Sequence, residues 1–208
     1  MTLFRTYLML SPLEDSDPSR LRSDRTKTMR GPESAITLPD MIHVCSLARL
    51  HPTVTETGAR HVVTLMKDVA MVRRPPSIEE TNHLLLDMDD IITVMDGYVH
   101  PTEAHVEKLI EFVTGWDRAA PIVVHCYAGI SRSTAGAFIT ACALNPNRDE
   151  ESIARAIRSF SPTAQPNIRL VSLADDILGR GGRMTNAIRA IGPGIAAYEG
   201  HPFRLDLE

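Results

Sequence analysis

From Met41 onward, short apolar runs alternate with longer stretches in which apolar residues recur at helical spacing. MIHVCS (41–46), RHVVTLM (60–66), HLLLDM (83–88) and PIVVHC (121–126) predict strands. Between the third and fourth, Val106, Leu109, Ile110 and Val113 fall at i, i+3, i+4 and i+7 before Gly115, which predicts a crossover helix with His105, Glu107 and Lys108 on its wet face. The small-residue stretch SRSTAGAFITACAL (131–144) predicts a second helix, and three more follow. In the first of these, 147–160, Asn147 and Glu150 stand in capping-box spacing and Ile153, Ile157 and Phe160 share a stripe. The next, 167–179, opens on Asn167 as N-cap and ends at Gly179; the last, 183–192, presents Met184, Ile188 and Ile191 on one face. Strands alternating with helices predict an α/β fold, a mainly parallel central sheet of four to five strands flanked by helices. Residues 1–40 mix Pro, Ser and both signs of charge over most of their length and read as a flexible arm, residues 41–192 as one folded domain, and residues 193–208 as an irregular tail.

Composition narrows the function classes. The 208 residues carry a net charge of −4, so no overall positive field exists to hold a nucleic-acid backbone or an anionic membrane, and affinity for phosphate has to be local. No apolar run approaches the ~20 residues of a membrane span, and Arg5 interrupts the short apolar start. Three widely spaced cysteines form neither a disulfide framework nor a repeated zinc pattern, so a reduced, cytoplasmic thiol protein is expected. His100, Glu103 and His105 lie close in sequence but do not repeat on one helix face as metal ligands would, and no metal or other cofactor is expected.

Candidate chemistry concentrates in HCYAGISRS (125–133). The strand delivers Cys126 to the carboxyl edge of the sheet, where clefts form in open α/β folds, and the next helix begins near Ser131 and Arg132. A loop of this length ahead of a helix can turn successive N–H groups of Tyr127, Ala128, Gly129, Ile130 and Ser131 inward as a nest for an oxyanion, with Gly129 supplying the tight turn. Arg132 faces the same point, and its planar fork matches two oxygens of a phosphate. A helix N-terminus beside a guanidinium favours a thiolate over a thiol, and Ser133 stands where its hydroxyl can donate to the sulfur.

Cys126, five intervening residues, Arg132 and Ser133, with His125 in front, resemble the HCx5R(S/T) motif of the cysteine-dependent protein tyrosine phosphatase superfamily. The stretches IHVCSLARL, HLLLDMDDI, HCYAGISRSTAGAFI and SPTAQPNIRLVSLAD are similar to small bacterial predicted tyrosine phosphatases, and the order of elements from about 41 to 182 looks like the compact dual-specificity branch. The resemblance implies a three-layer fold and hydrolysis of a phosphate monoester on a phosphorylated protein, phosphotyrosine first, or on a small phosphate ester. It implies in-line attack by the Cys126 thiolate, a phosphocysteine intermediate, and an upstream aspartic acid that protonates the leaving oxygen and then activates water. Asp90, after the strand that precedes the crossover helix, is the first candidate for that acid, 36 residues before Cys126. Asp96 is the second, 30 residues before it, although Asp96-Gly97 is also a turn signal. Asn167 resembles the residue that braces the phosphate loop in dual-specificity phosphatases, and His125 is expected to hydrogen-bond loop carbonyls and support the thiolate. Gln165 is a candidate for orienting water. Tyr127 is expected to point away from the phosphate into the scaffold, and Cys45 and Cys142 to be packing residues.

Other classes fit less well. Low-molecular-weight phosphatases place their loop near the N-terminus, and inositol-phosphate phosphatases carry lysines in it, whereas YAGIS (127–131) has none. A sulfurtransferase does not call for Arg132, and a binding-only relative typically loses the cysteine, the arginine or the acid. A catalytically weak phosphate-binding module is the main alternative to the enzyme.

Overall fold

The computed structural model describes residues 41–207. The expected arm therefore lies outside the described residues. Five strands, β1 (Met41–Ser46), β2 (His61–Met66), β3 (His83–Asp87), β4 (Ile122–Cys126) and β5 (Phe203–Asp206), form one sheet in the order β3-β2-β4-β1-β5. All neighbours pair in parallel except β5, which runs antiparallel to β1 with Val44 opposite Phe203 and Ile42 opposite Leu205. The architecture is the α/β fold read from the hydrophobic pattern.

The strands are apolar on consecutive positions because both faces are covered. Ile42, Val44, Val63, Leu65, Ile122 and Val124 face α2 (Glu103–Thr114), α3 (Arg132–Leu144), α4 (Glu150–Phe160), α5 (Ile168–Ile177) and α6 (Arg183–Ile191). Cys45, Val62 and Val123 face α1 (Leu50–Thr57) through Leu50 and Val54. Helix α3 is buried along nearly its whole length, and its small residues let it lie close on the sheet. A methyl group added at Gly136 would stand 3.0 Å from a Val124 methyl and 3.1 Å from one of Leu65. That contact fixes where the helix begins, and so where the loop ahead of it can go.

Four local readings change. The tail is not irregular throughout: Phe203, Leu205 and Leu207 alternate inward with Arg204 and Asp206 outward, and the period of two makes β5. Helix α4 is capped by Asp149, which accepts from the Ser152 N–H, while Glu150 is buried and paired with Arg180 and Arg183 instead of completing a box with Asn147. Phe160 closes that helix beyond the core and is 54% exposed, although Ile153 and Ile157 are buried as expected. His105 is half-buried rather than on a wet face, because its Nδ1 accepts from the Thr102 backbone N–H and closes the N-terminal cap of α2. Helix α1 has no counterpart in the pattern reading; it is eight residues long, with Leu50, Thr53 and Val54 alone turned inward.

Candidate active site

Strand β4 ends at Cys126 and α3 starts at Arg132, so the five residues between them form a loop at the carboxyl edge of the sheet. Almost every carbonyl in the loop is captured from outside. The carbonyl of Tyr127 accepts from Leu47 N at 3.2 Å, Ala128 from Gly200 N at 2.8 Å, Ile130 from Gln165 N at 2.9 Å, and Ser131 from Ala135 N at 3.0 Å and Asn167 N at 3.3 Å. In a trans peptide the C=O and the following N–H point in opposite directions, so carbonyls held outward turn the next N–H groups inward. The Gly129 N–H accordingly points at the Cys126 sulfur, 3.3 Å away, while those of Ala128, Ile130 and Ser131 have no acceptor among the described residues. The result is a concave set of donors around one thiol.

Gly129 is required by the turn. Its φ of 73° lies in the left-handed region, and a Cβ there would stand 2.8 Å from the Ser46 nitrogen and 2.9 Å from the Cys45 carbonyl carbon.

Cys126 is 1% exposed and its Sγ lies 3.1 Å from the Ser133 hydroxyl, itself buried at the start of α3. Arg132 is 8% exposed; one terminal nitrogen donates to the Met88 carbonyl at 2.7 Å, while its buried Nε has no hydrogen-bond partner. A buried guanidinium N–H left without an acceptor is a site prepared for an anionic oxygen. The structure thus brings Cys126, Arg132, Ser133 and the loop amides together as the sequence implies.

Asp90 joins them and Asp96 does not. Asp90 Oδ1 accepts from the Ser131 hydroxyl at 2.7 Å and from Asn167 Nδ2 at 2.8 Å, and Oδ2 lies 3.6 Å from Arg132 Nε. Asp96 sits at the exposed tip of the 89–99 loop, beside Gly97 in a turn, with no hydrogen bond or ion pair among the described residues. Asp89 ties the two ends of that loop, accepting from Val99 N at 2.8 Å and donating its own N–H to the Val99 carbonyl at 2.7 Å. Asn167 caps α5, its Oδ1 accepting from Arg169 N and Leu170 N; its Nδ2 holds Asp90 rather than the loop, which it meets through its backbone N–H on the Ser131 carbonyl.

Two expectations change. His125 is held by Nε2, which bonds the Thr64 hydroxyl at 2.6 Å, Thr64 in turn bonding His83 Nε2 at 2.8 Å, while the other side of the ring is turned to the Cys126 main chain. Complete burial, followed by the neighbouring His83, pushes the His125 ring down to about 3, so it is neutral and braces β4 to β2 without lending positive charge to the sulfur. Tyr127 points away from the nest but into solvent, 69% exposed, not into the scaffold. Gln165 is exposed at the cleft, and its backbone N–H, rather than its side chain, serves the loop. Cys45 and Cys142 are buried, and burial pushes both thiols up to about 12, which suits packing. The carboxyl-terminal support at Gly200 was missed, because nothing in a single glycine between Glu199 and His201 announces what it will touch.

A cavity of about 560 Å³ opens beside the loop, lined by Asp90, Ile130 and Gln165 on the loop side and by Ile92, Ile188 and Arg189 further out. The Arg189 guanidinium has no partner among the described residues. Among the described residues no three His, Cys, Asp or Glu side chains are grouped to hold a metal ion, and no helix is long and apolar enough to cross a membrane.

The protein-tyrosine phosphatase family profile matches residues 96–162, which include the whole loop. No curated protein matches the chain at the sequence level. Among solved structures, the chain is similar to PTP-2 phosphatase of Cydia pomonella, at 20% identity and a TM-score of 0.52 over 65% of this chain and 84% of the other. It is similar to human DUSP28, at 18% identity and a TM-score of 0.53 over 69% and 91%. It is also similar to PTPMT1 solved in complex with PI(5)P, at 16% identity and a TM-score of 0.52 over 73% and 93%. At these identities the likeness is one of fold.

Proposed function

We propose that the chain, whose loop and fold are similar to those of the cysteine-dependent protein tyrosine phosphatases, hydrolyses phosphate monoesters through a phosphocysteine. The observation that carries the reading is the set of inward amides around the Cys126 sulfur, with the Nε of Arg132, which makes no hydrogen bond, beside it. Three non-bridging oxygens of a phosphate need donors on all sides, and backbone N–H groups fixed in advance supply them without reorganisation.

The thiolate of Cys126 attacks phosphorus in line with the ester oxygen; the S–P bond forms as the P–O bond breaks. Asp90 gives its proton to the departing oxygen from Oδ2, since Oδ1 already accepts from Ser131 and Asn167. A water then attacks the phosphocysteine, Asp90 takes its proton, the P–S bond breaks and inorganic phosphate leaves. Ser133 donates its hydroxyl hydrogen to the sulfur as the thiolate re-forms, at the 3.1 Å separation seen.

The leaving group belongs beside its acid, which places it in the cavity that Asp90 borders. Apolar Ile92, Ile130 and Ile188 suit an aryl group, and Arg189 at the outer wall suits a second anionic group on it. The absence of lysine in YAGIS favours singly phosphorylated esters, phosphotyrosine first, over a multiply phosphorylated ring. A mechanism that runs on a free thiolate fits a reducing compartment, so we place the protein in the cytoplasm.

The test is hydrolysis of phenyl phosphate with chelator and reductant present, wild type beside Cys126→Ser. Turnover by the wild type alone is expected. Silence from both folded proteins, with phosphate still bound, would make the chain a phosphate-binding module.

A further inference from the structure

The matched family segment ends at residue 162, yet the loop is held from outside by residues some forty positions further on. After α6 the chain runs back along the carboxyl edge of the sheet before it enters β5. Arg158 fastens its start, donating to the carbonyls of Ile191, Gly192 and Pro193 as well as to Ala164. The Ile195 N–H then bonds the Pro162 carbonyl at 2.9 Å. At the far end Ser46, the last residue of β1, donates its hydroxyl to Glu199 Oε1 at 2.5 Å, and the Gly200 N–H bonds the Ala128 carbonyl at 2.8 Å.

This crossing decides two peptide planes of the loop. Holding the Ala128 carbonyl outward turns the Gly129 N–H toward the Cys126 sulfur. The next carbonyl, that of Gly129, lies so near Gly200 that a Cβ there would stand 2.8 Å from its oxygen. On its other side Gly129 is backed by Ser46, where a Cβ would meet the nitrogen at 2.8 Å. The first half of the loop is thus pressed between the end of β1 and residue 200, and Glu199 ties those two walls to each other. Gly200 is excluded from carrying a side chain by backbone, which cannot swing aside as a flexible side chain would.

We propose that residues 193–200 are a strap that belongs to the phosphate-binding apparatus, with Gly200 and Glu199 as positioning residues that hold the 128–130 peptides with their N–H groups facing the bound oxyanion. The proposal rests on the loop being a phosphate site and adds that the loop does not keep its binding shape by its own sequence. Freed from Gly200, the 128–129 peptide loses the hydrogen bond its carbonyl accepts and keeps only the 3.3 Å contact of the Gly129 N–H with the sulfur, so it can flip, replacing a donor at the sulfur with a carbonyl oxygen that repels both thiolate and phosphate.

The experiment is binding of inorganic phosphate by calorimetry and inhibition by orthovanadate, together with kcat and KM on phenyl phosphate, on the full chain. Gly200→Ala is expected to weaken both oxyanions about tenfold, the scale of one hydrogen bond lost and a rigid overlap introduced. Glu199→Ala is expected to weaken them in the same direction, and Glu199→Gln, whose carbonyl still accepts from Ser46, to restore wild-type affinity. Leu205→Ala, in β5 and buried away from the loop, is expected to lower the melting temperature while leaving oxyanion affinity within twofold in the folded protein. Affinity unchanged in Gly200→Ala, or an equal loss in Leu205→Ala, overturns the strap's role. If Gly200→Ala does not fold, the Glu199 pair decides alone, and equal affinities for Ala and Gln overturn the proposal. A wild type that binds neither oxyanion overturns the phosphate-site reading itself, a result distinct from binding that survives loss of the strap.

Discussion

Replacing Asp90 by Asn separates the two jobs proposed for it, acid and clamp, because the amide keeps one and loses the other. Asn retains a carbonyl oxygen that can accept from Ser131 and Asn167, so the two short bonds at Oδ1 survive. The ion pair from Oδ2 to Arg132 Nε is lost; at 3.6 Å, with the aspartate side chain 34% exposed, it is worth at most about 1 kcal/mol. Loss of the ion pair alone therefore changes oxyanion affinity by no more than about fivefold. Loss of the acid removes a factor of roughly 10²–10⁴, or about 3–5 kcal/mol at the transition state, but only where the leaving oxygen needs a proton. The assay compares phenyl phosphate, a poor leaving group, with 2,4-dinitrophenyl phosphate, a good one, for wild type, Asp90→Asn and Asp96→Asn. Asp90→Asn should lose at least a hundredfold in kcat on phenyl phosphate and only a few-fold on the dinitrophenyl ester, while Asp96→Asn stays near wild type on both. An equal loss on both esters would reduce Asp90 to a clamp. A leaving-group-dependent loss in Asp96→Asn would refute the assignment outright.

Arg189→Ala should leave kcat/KM on phenyl phosphate unchanged and lower it several-fold on an aryl phosphate bearing a carboxylate, an exposed charge pair being worth under about 1 kcal/mol; equal effects on both esters would remove Arg189 from the substrate site. His125, pushed down to about 3 in the fold, takes up its proton near 6.5 when unfolded, so the unfolded chain binds more protons between those values and stability falls as pH drops below about 6.5. At pH 5 that amounts to about 2 kcal/mol, read as the difference in urea unfolding free energy from pH 7, and His125→Asn should flatten that slope; an unaltered slope in the variant would show that other groups govern it.

The sheet and the run from Cys126 to Ser133 were legible in the chain. A parallel sheet covered on both faces writes itself as consecutive apolar residues, and the thiol, the glycine turn and the arginine sit in one short run whose geometry follows from a strand ending and a helix beginning. Asn167 was legible as a cap, because a residue of its type before an apolar helical run caps wherever it lies. Tertiary structure alone brings Asp90 and not Asp96 to the loop, since that depends on what Ser131 and Asn167 reach across the cleft and not on spacing along the chain. It also made His125 a brace between strands, because Thr64 on the neighbouring strand comes within 2.6 Å of its ring. The strap is the plainest case. The alternation in FRLDL was there to be read as β5, but the contact of Gly200 with Ala128 and Gly129 joins positions about seventy residues apart, and a glycine's requirement for empty space is set by the backbone that comes to fill it.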